Sequence, residues 1–213
     1  MFVSERMSYP VISVGPEMPI NEALTLMRRE HIRRTPVIKD GKLAGIVSDK
    51  DLLNASPSPA TSLSIWEMNY LLSKITVKDV MTKEVRTVTD DTPIEEAARI
   101  MADNKIGGLP VTRDEKVVGI ITETDLFKIF LEMMGAREKG VRCTVIILNQ
   151  PGQLAKITQA LTGIGGDFVA FGQFLGDDPS NRMVTFKVAG VTEEQVRGAM
   201  QGLVDRLVDI RST

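Results

Sequence analysis

Two stretches of the chain end in the same way, Gly45-Ile-Val-Ser48-Asp-Lys-Asp51 and Gly119-Ile-Ile-Thr122-Glu-Thr-Asp125. In each, an apolar run leads into a hydroxyl residue that opens a helix, and an aspartate follows three positions later. A helix N-terminus carries unpaired N–H groups and partial positive charge, which favour a phosphate. An aspartate one turn inside can accept hydrogen bonds from both hydroxyls of a ribose, and the glycine lets backbone lie close to a base. The same letters also spell Ser-x-x-Asp and Thr-x-x-Asp capping boxes, worth about 0.5–2 kcal/mol of helix stability. Both readings stand on these residues alone. Upstream, Arg33-Arg34 precede Pro36, whereas Gly107-Gly108 precede Pro110. Two guanidinium groups beside a helix N-terminus form a phosphate clamp, and two glycines admit a flat base. Solvated surface charge is the plainer reading of the arginines.

These pairs recur because Met7–Leu53 is repeated as Met81–Phe127 at a constant offset of 74 residues. Met7/Met81, Val11/Val85, Pro19/Pro93, Glu22/Glu96, Met27/Met101, Pro36/Pro110, Gly45/Gly119 and Asp51/Asp125 remain identical. A repeated unit of this size cannot bury its apolar face alone, so two copies must pack together around a cleft with two related pockets. Each copy predicts β-α-β-β-α. Val11–Val14 and Val85–Val88 are extended runs, and Pro19 and Pro93 suit the first helical position. Ile20, Ala23, Leu24 and Met27, matched by Ile94, Ala97, Ala98 and Met101, follow at helical spacing. Lys39–Lys42 and Arg113–Lys116 are hairpin turns, and a second helix begins at Ser48 and at Thr122. Asn54–Thr61 is a loop, and Ser64-x-x-Glu67 caps a helical insert carrying the single Trp66. The expected divisions are a first repeat over 1–56, a linker with helical insert over 57–76, a second repeat over 77–135, a hinge over 136–140 and a last domain over 141–213.

The C-terminal third has a different pattern. Cys143–Leu148 is an apolar strand, Asn149–Gly152 a turn, and Leu154, Ile157, Leu161 and Ile164 mark one helix face ended by Gly163, Gly165 and Gly166. Phe168–Leu175 and Met183–Val188 flank a Gly176–Asn181 loop. Thr192-x-x-Gln195 caps a helix reaching about Val204, and Leu207–Ile210 closes the set. The order β-α-β-β-α-β is ferredoxin-like, so the fold class is α+β. In a regular strand Phe168 and Phe174 share a face and Phe171 does not, which leaves one side for a partner surface.

Composition limits the chemistry. Over 213 residues the net charge is −2, with 43% apolar and 25% charged residues, which gives no general attraction for nucleic acid or anionic membrane. No apolar run approaches the roughly 18 residues of a membrane span, and the opening MFVSERMSYP lacks a signal-type apolar core. The lone Cys143 fits a reducing, cytoplasmic setting and a buried inert thiol. The lone His31, at the end of a helix, suits capping rather than metal ligation. No paired His and Cys, P-loop or Gly-x-Ser-x-Gly motif is present, so enzyme activity is not expected and no metal site is expected.

The doubled pattern Met-Ser/Thr … Pro-Ile-x-Glu-Ala … Ile-x-x-x-Pro-Val … Gly-Ile-x-Ser/Thr-x-x-Asp-Leu resembles a tandem pair of CBS domains, a Bateman module, over roughly Met1 to Gly135. The resemblance implies a regulatory module that binds AMP, ADP, ATP or S-adenosylmethionine, with no required cofactor and magnesium only where it accompanies a nucleotide. It implies one pocket built from Ser48, Asp51, Arg33, Arg34, Thr82, Ile106 and Gly107, with Gly108 beside them. A second, weaker pocket would use Thr122, Asp125 and Ile32, facing Ser8–Ile12. Val141–Ile210, through Pro151-Gly152-x-Leu154-Ala-x-Ile157, resembles an ACT domain, which implies edge-to-edge homodimerisation and an amino-acid site near Asn149, Gly152 and Leu154. That family usually carries an aspartate where Asn149 stands, so the partner for an amino-acid ammonium is missing. The domain order is similar to that of the acetoin utilization protein AcuB family, and implies a target enzyme as partner. The alternatives are an enzyme that uses a bound nucleotide, or a purely structural or nucleic-acid-binding module.

Overall fold

The computed structural model describes residues 1–55 and 74–213. The helical insert expected at Ser64–Leu72 lies outside the described residues. The chain divides into two compact units, Met1–Leu126 and Phe127–Thr213.

In the first unit, the first repeat supplies α1 (Ile20–Arg29), the hairpin β1 (Arg34–Lys39) and β2 (Lys42–Ser48), and the short α2 (Asp49–Asn54). After residues 56–73 come α3 (Val77–Val80), β3 (Val88–Thr89), α4 (Ile94–Asn104), β4 (Gly108–Arg113) and β5 (Lys116–Thr122), and then α5 (Glu123–Met133), which begins in this unit and runs on past its end at Leu126. The hairpins are copies in detail. Val37 pairs with Gly45 and Val111 with Gly119, and both ladders slip by a bulge at the next residue. Their turns take positive φ at Asp40 and Gly41, and at Asp114 and Glu115. Two consecutive left-handed residues match the right-handed twist of paired strands.

Three expectations change. Pro19 and Pro93 sit at the N-cap, one residue before the helix, where the missing N–H is equally harmless. The extended run Val11–Val14 shrinks to a parallel bridge of Val14 with Val37, and Val85–Val88 to the two-residue β3. In the second copy the upstream residues Glu84, Val85 and Arg86 leave the sheet to line a cavity. The repeat also extends upstream of Met7 and Met81, because Met1–Val3 corresponds in position and bonding to Ile75–Val77. Val3 N–H donates to Thr92 O and Val77 N–H to Met18 O, each at 2.9 Å. Ile94 N–H donates to Met1 O and Ile20 N–H to Ile75 O.

These N-terminal hooks are exchanged. Val77 is buried with Ile20, Ala23, Met27, Val37, Val47 and Leu52 of the first repeat, and Val3 with Ala97, Met101, Leu109, Val111 and Ile121 of the second. Ser8 pairs with Ile120 and Thr82 with Ile46, again across copies. Each core is therefore built from both repeats, so neither repeat closes alone. Gly45 and Gly119 serve this crossing. A Cβ at Gly45 would lie 2.6 Å from Met81 Sδ and 2.9 Å from Thr82 O, and one at Gly119 would strike Met7 Sδ and lie 3.0 Å from Ser8 O. The glycine of the doubled motif makes room for the partner repeat's hook rather than for a base.

The second unit orders its strands β7-β8-β6-β9, with β6 (Val141–Leu148), β7 (Asp167–Leu175), β8 (Asn181–Ala189) and β9 (Arg206–Ser212) all antiparallel. Helices α6 (Gln153–Gly163) and α7 (Glu193–Met200) complete β-α-β-β-α-β. Alternate residues Val141, Cys143, Val145 and Ile147 face Ile157, Leu161, Val196 and Met200 in one core. Burial pushes the Cys143 thiol up to about 12, so it is inert at neutral pH. α7 stops at Met200, short of the expected Val204, because Gln201 turns extended and Gly202 takes a φ of +73°. A bulge between Phe168 and Ala170 also reverses the expected facing of the phenylalanines. Phe168 and Phe171 share the core face, with ring centroids 6.0 Å apart, and Phe174 points away, partly exposed. On the other face Lys187, 4% exposed, donates to Gly135 O at 2.8 Å and to Glu138 O at 2.9 Å. The stretch expected as a hinge is thus tied to the sheet.

Candidate functional site

The first unit contains a cavity of about 440 Å³ between the end of the β1–β2 hairpin and the residues around α4's C-terminus. That is within the range of small-molecule sites. Of the residues expected around Asp51, it is lined by Arg34, Ser48, Asp51, Thr82, Ile106, Gly107 and Gly108. Arg33 is exposed and lies outside the lining, because successive residues at the start of β1 point to opposite sides. The expected two-arginine clamp therefore reduces to one arginine. Glu84, Arg86, Asn104 and Lys105 also line the cavity and carried no periodic signal in the sequence. Comparison of the copies marks two of them, since Glu84 and Arg86 replace Pro10 and Ile12 of the first repeat.

The capping box forms in full at Ser48, and its aspartate half forms at Thr122. Ser48 N–H and Oγ–H donate to Asp51 Oδ2 at 2.8 and 2.6 Å, and Asp51 N–H donates back to Ser48 Oγ at 3.3 Å. Thr122 N–H and Oγ1–H donate to Asp125 Oδ2 at 3.0 and 2.7 Å. In Asp51 the box uses only Oδ2, so Oδ1 is outside it while the residue faces the cavity. Capping and ligand contact are thus compatible on one carboxylate. The copies differ in depth: Asp51 is half-buried, whereas Asp125 is 8% exposed. Ile32, expected to face Asp125, packs against the core of the first repeat.

The opening turn of α2 departs from the sequence expectation of free N–H groups for a phosphate. Asp49 N–H donates to Arg33 O at 2.9 Å, Lys50 N–H to Asp49 Oδ1 at 2.8 Å, and Asp51 N–H to Ser48 Oγ. These donors are occupied, so an anion here must rely on side chains.

Arg34 is the foremost of these. It starts in the first repeat, yet a Cβ at Gly107 would collide with its guanidinium, and one at Gly108 would lie 2.8 Å from its Cδ. The glycines that stand opposite Arg33-Arg34 in the second copy are the notch that receives Arg34. Burial pushes the Arg34 guanidinium below its ordinary value, against the carboxylates of Glu123 and Asp49, which pull it up. Nη1 is buried without a hydrogen-bond partner. A desolvated, unpaired guanidinium nitrogen is costly, and the nearby carboxylates of Glu123 and Asp49 offset its charge while the rest of the side chain lines the cavity.

The geometry and the sequence pattern together agree with comparison to known proteins. The CBS domain model matches residues 3–58 and 77–132, two stretches at the same 74-residue offset as the repeat. The chain belongs to the CBS-domain family. The CBS domain pair of protein MJ0100, solved with 5′-methylthioadenosine and S-adenosyl-L-methionine, is 28% identical, with 65% of this chain and 98% of that one covered and a TM-score of 0.52. A Vibrio cholerae protein assigned to acetoin utilization (AcuB) is 30% identical, with coverage of 65% and 96% and a TM-score of 0.53. CBSX2 of Arabidopsis thaliana, solved with AMP, is 31% identical, with coverage of 62% and 97% and a TM-score of 0.52. The CBS pairs of MJ0100 and CBSX2 thus bind adenosine compounds.

The second unit offers less chemistry. Asn149 N–H donates to Ser180 O at 2.7 Å and its Nδ2–H to Pro179 O at 3.0 Å, so Asn149 pins the β7–β8 loop. Gly152 takes a φ of +84° at the N-cap of α6, with open space where a Cβ would stand. Leu154 packs against the core. Among the described residues, no group of three or more His, Cys, Asp or Glu is placed to hold a metal, and no helix is long and apolar enough to cross a membrane.

Proposed function

We propose that this CBS pair senses an adenosine-containing ligand, one of AMP, ADP, ATP or S-adenosylmethionine, in the cavity beside Asp51, and acts as a regulator rather than an enzyme. The observation that carries this reading is the convergence on one cavity of Asp51, with its Oδ1 outside the capping box, and Arg34, with an unpartnered Nη1. Asp51 would hold the ribose hydroxyls, the backbone around Ile106 and Gly107 the base, and Arg34 an anionic group. The adenosine ligands of the MJ0100 pair and of CBSX2 support the ligand class. Because each core is assembled from both repeats, a ligand spanning them would change their packing, and coupling follows if two states bind it differently.

In the same reading the C-terminal unit is an ACT domain. Its β-α-β-β-α-β order supports this, and it would pair two cytoplasmic chains and relay the ligand state to a target enzyme. Amino-acid binding at Asn149, Gly152 and Leu154 is a separable part of the proposal. The test is titration calorimetry of the full chain with the adenosine series and with amino acids, on wild type and Asp51→Asn. Binding of an adenosine compound that Asp51→Asn weakens at least about 100-fold is expected, since two charge-assisted hydrogen bonds at roughly 1.5–3 kcal/mol each would lose their charge. An adenosine compound that binds both proteins equally would overturn the site, and turnover of the bound nucleotide would overturn the regulatory reading.

A further inference from the structure

The charged lining of the Asp51 cavity narrows the ligand class. We infer, on the reading of this cavity as an adenosine site, that it selects adenosine ligands carrying two or more phosphates, and that Arg86 and Lys105 determine that selectivity. Four observations carry this. The N–H groups opening α2 are occupied within the chain, so phosphate recognition falls to side chains. Arg34 is one cation, half-buried against its glycine notch, with Nη1 buried and unpaired. Arg86 and Lys105 are two more, exposed on the same lining, and neither makes an ion pair or side-chain hydrogen bond among the described residues. By contrast Lys78, Arg99 and Arg113 of the same unit are each paired with a carboxylate. Finally, the equivalent positions in the other copy are Ile12 and His31, so neither cation follows from the repeat itself.

The carboxylates on the lining are Asp51 and Glu84. With Asp51 turned to the ribose and Arg34 set against Glu123 and Asp49, the two exposed cations Arg86 and Lys105 remain against Glu84 alone. One phosphate can satisfy Arg34. Arg86 and Lys105 then remain at the rim, where a second phosphate would sit between them as a charge-assisted acceptor. S-adenosylmethionine carries a sulfonium, an ammonium and a single carboxylate, a net charge of about +1 that the cations of the lining disfavour relative to a diphosphate.

The experiment is calorimetric titration of the full chain with ADP, AMP, adenosine and S-adenosylmethionine, on wild type and on Arg86→Gln/Lys105→Gln. ADP is expected to bind tightest, AMP next, then adenosine, with S-adenosylmethionine weakest. The double variant should weaken ADP roughly tenfold while leaving adenosine unchanged. Higher ionic strength should erode the ADP advantage over adenosine. Adenosine or S-adenosylmethionine binding as tightly as ADP would overturn the inference and leave the adenosine site standing. So would a double variant that weakens all four compounds equally. Heat from none of the four would overturn the adenosine reading itself, and this inference with it.

Discussion

The Asp51 and Asp125 halves of the CBS pair share a backbone plan and differ in what surrounds their aspartates. The hairpins, bulges, left-handed turns, capping boxes and hooks repeat almost residue for residue. At the aspartates the equivalence ends: Asp51 faces a cavity lined by Arg34, Glu84, Arg86 and Lys105, while Asp125 is buried. Residues that build the fold were held in both copies, because each copy's core depends on the other's hook. Residues that meet a ligand are under no such mutual constraint. The Arg34 and Gly107 pair joins the two effects, since one copy could gain a long cation at the interface only where the other kept a notch.

This contrast can be broken at several points. The largest effect is expected at the aspartates themselves: Asp51→Asn should weaken an adenosine ligand at least about 100-fold, and Asp125→Asn less than about threefold, by calorimetry. Equal losses would make the halves functionally equivalent. The hooks should behave in the opposite, symmetric way. Val3→Ala and Val77→Ala should each cost about 1–3 kcal/mol in a denaturant melt, since each buries a valine in the other copy's core. A marked difference between them would show that the two cores are not equivalent. Gly107→Ala should displace Arg34 toward the cavity and lower affinity for a phosphorylated ligand roughly tenfold with little change for adenosine. The smallest effect is at Asp79. Hydrogen bonds from Thr76 hold its carboxyl below the ordinary 3.8, so its stabilisation is present above that value and lost as the pH falls through the lowered one. Asp79→Asn should therefore lower the melting temperature slightly at neutral pH and match wild type in strong acid.

Much of this molecule was legible as sequence where structure is periodic or local. The repeat offset, the faces of α1 and α4, the Asp40-Gly41 turn and the Thr192–Gln195 box all follow from spacing or from one residue's chemistry. What could not be read is non-local. Gly45 is small because of Met81 and Thr82, 36 and 37 positions away, and Gly107 because of Arg34. The bulge that turns Phe168 and Phe171 to one face leaves no mark in an alternating pattern. The α2 N-terminus looked open because its occupants are a backbone carbonyl and its own side chains. In the site, Ser48, Asp51 and Arg34 were legible, whereas Arg86 and Lys105 lie on irregular segments and stand out only when the copies are set side by side.

The measurement that bears most directly on the asymmetry is the stoichiometry of ADP binding to the full chain, by calorimetry, in wild type, Asp51→Asn and Asp125→Asn. One ADP per chain, lost in Asp51→Asn and retained in Asp125→Asn, is the predicted result. Two per chain, or one that survives Asp51→Asn and disappears in Asp125→Asn, would contradict it.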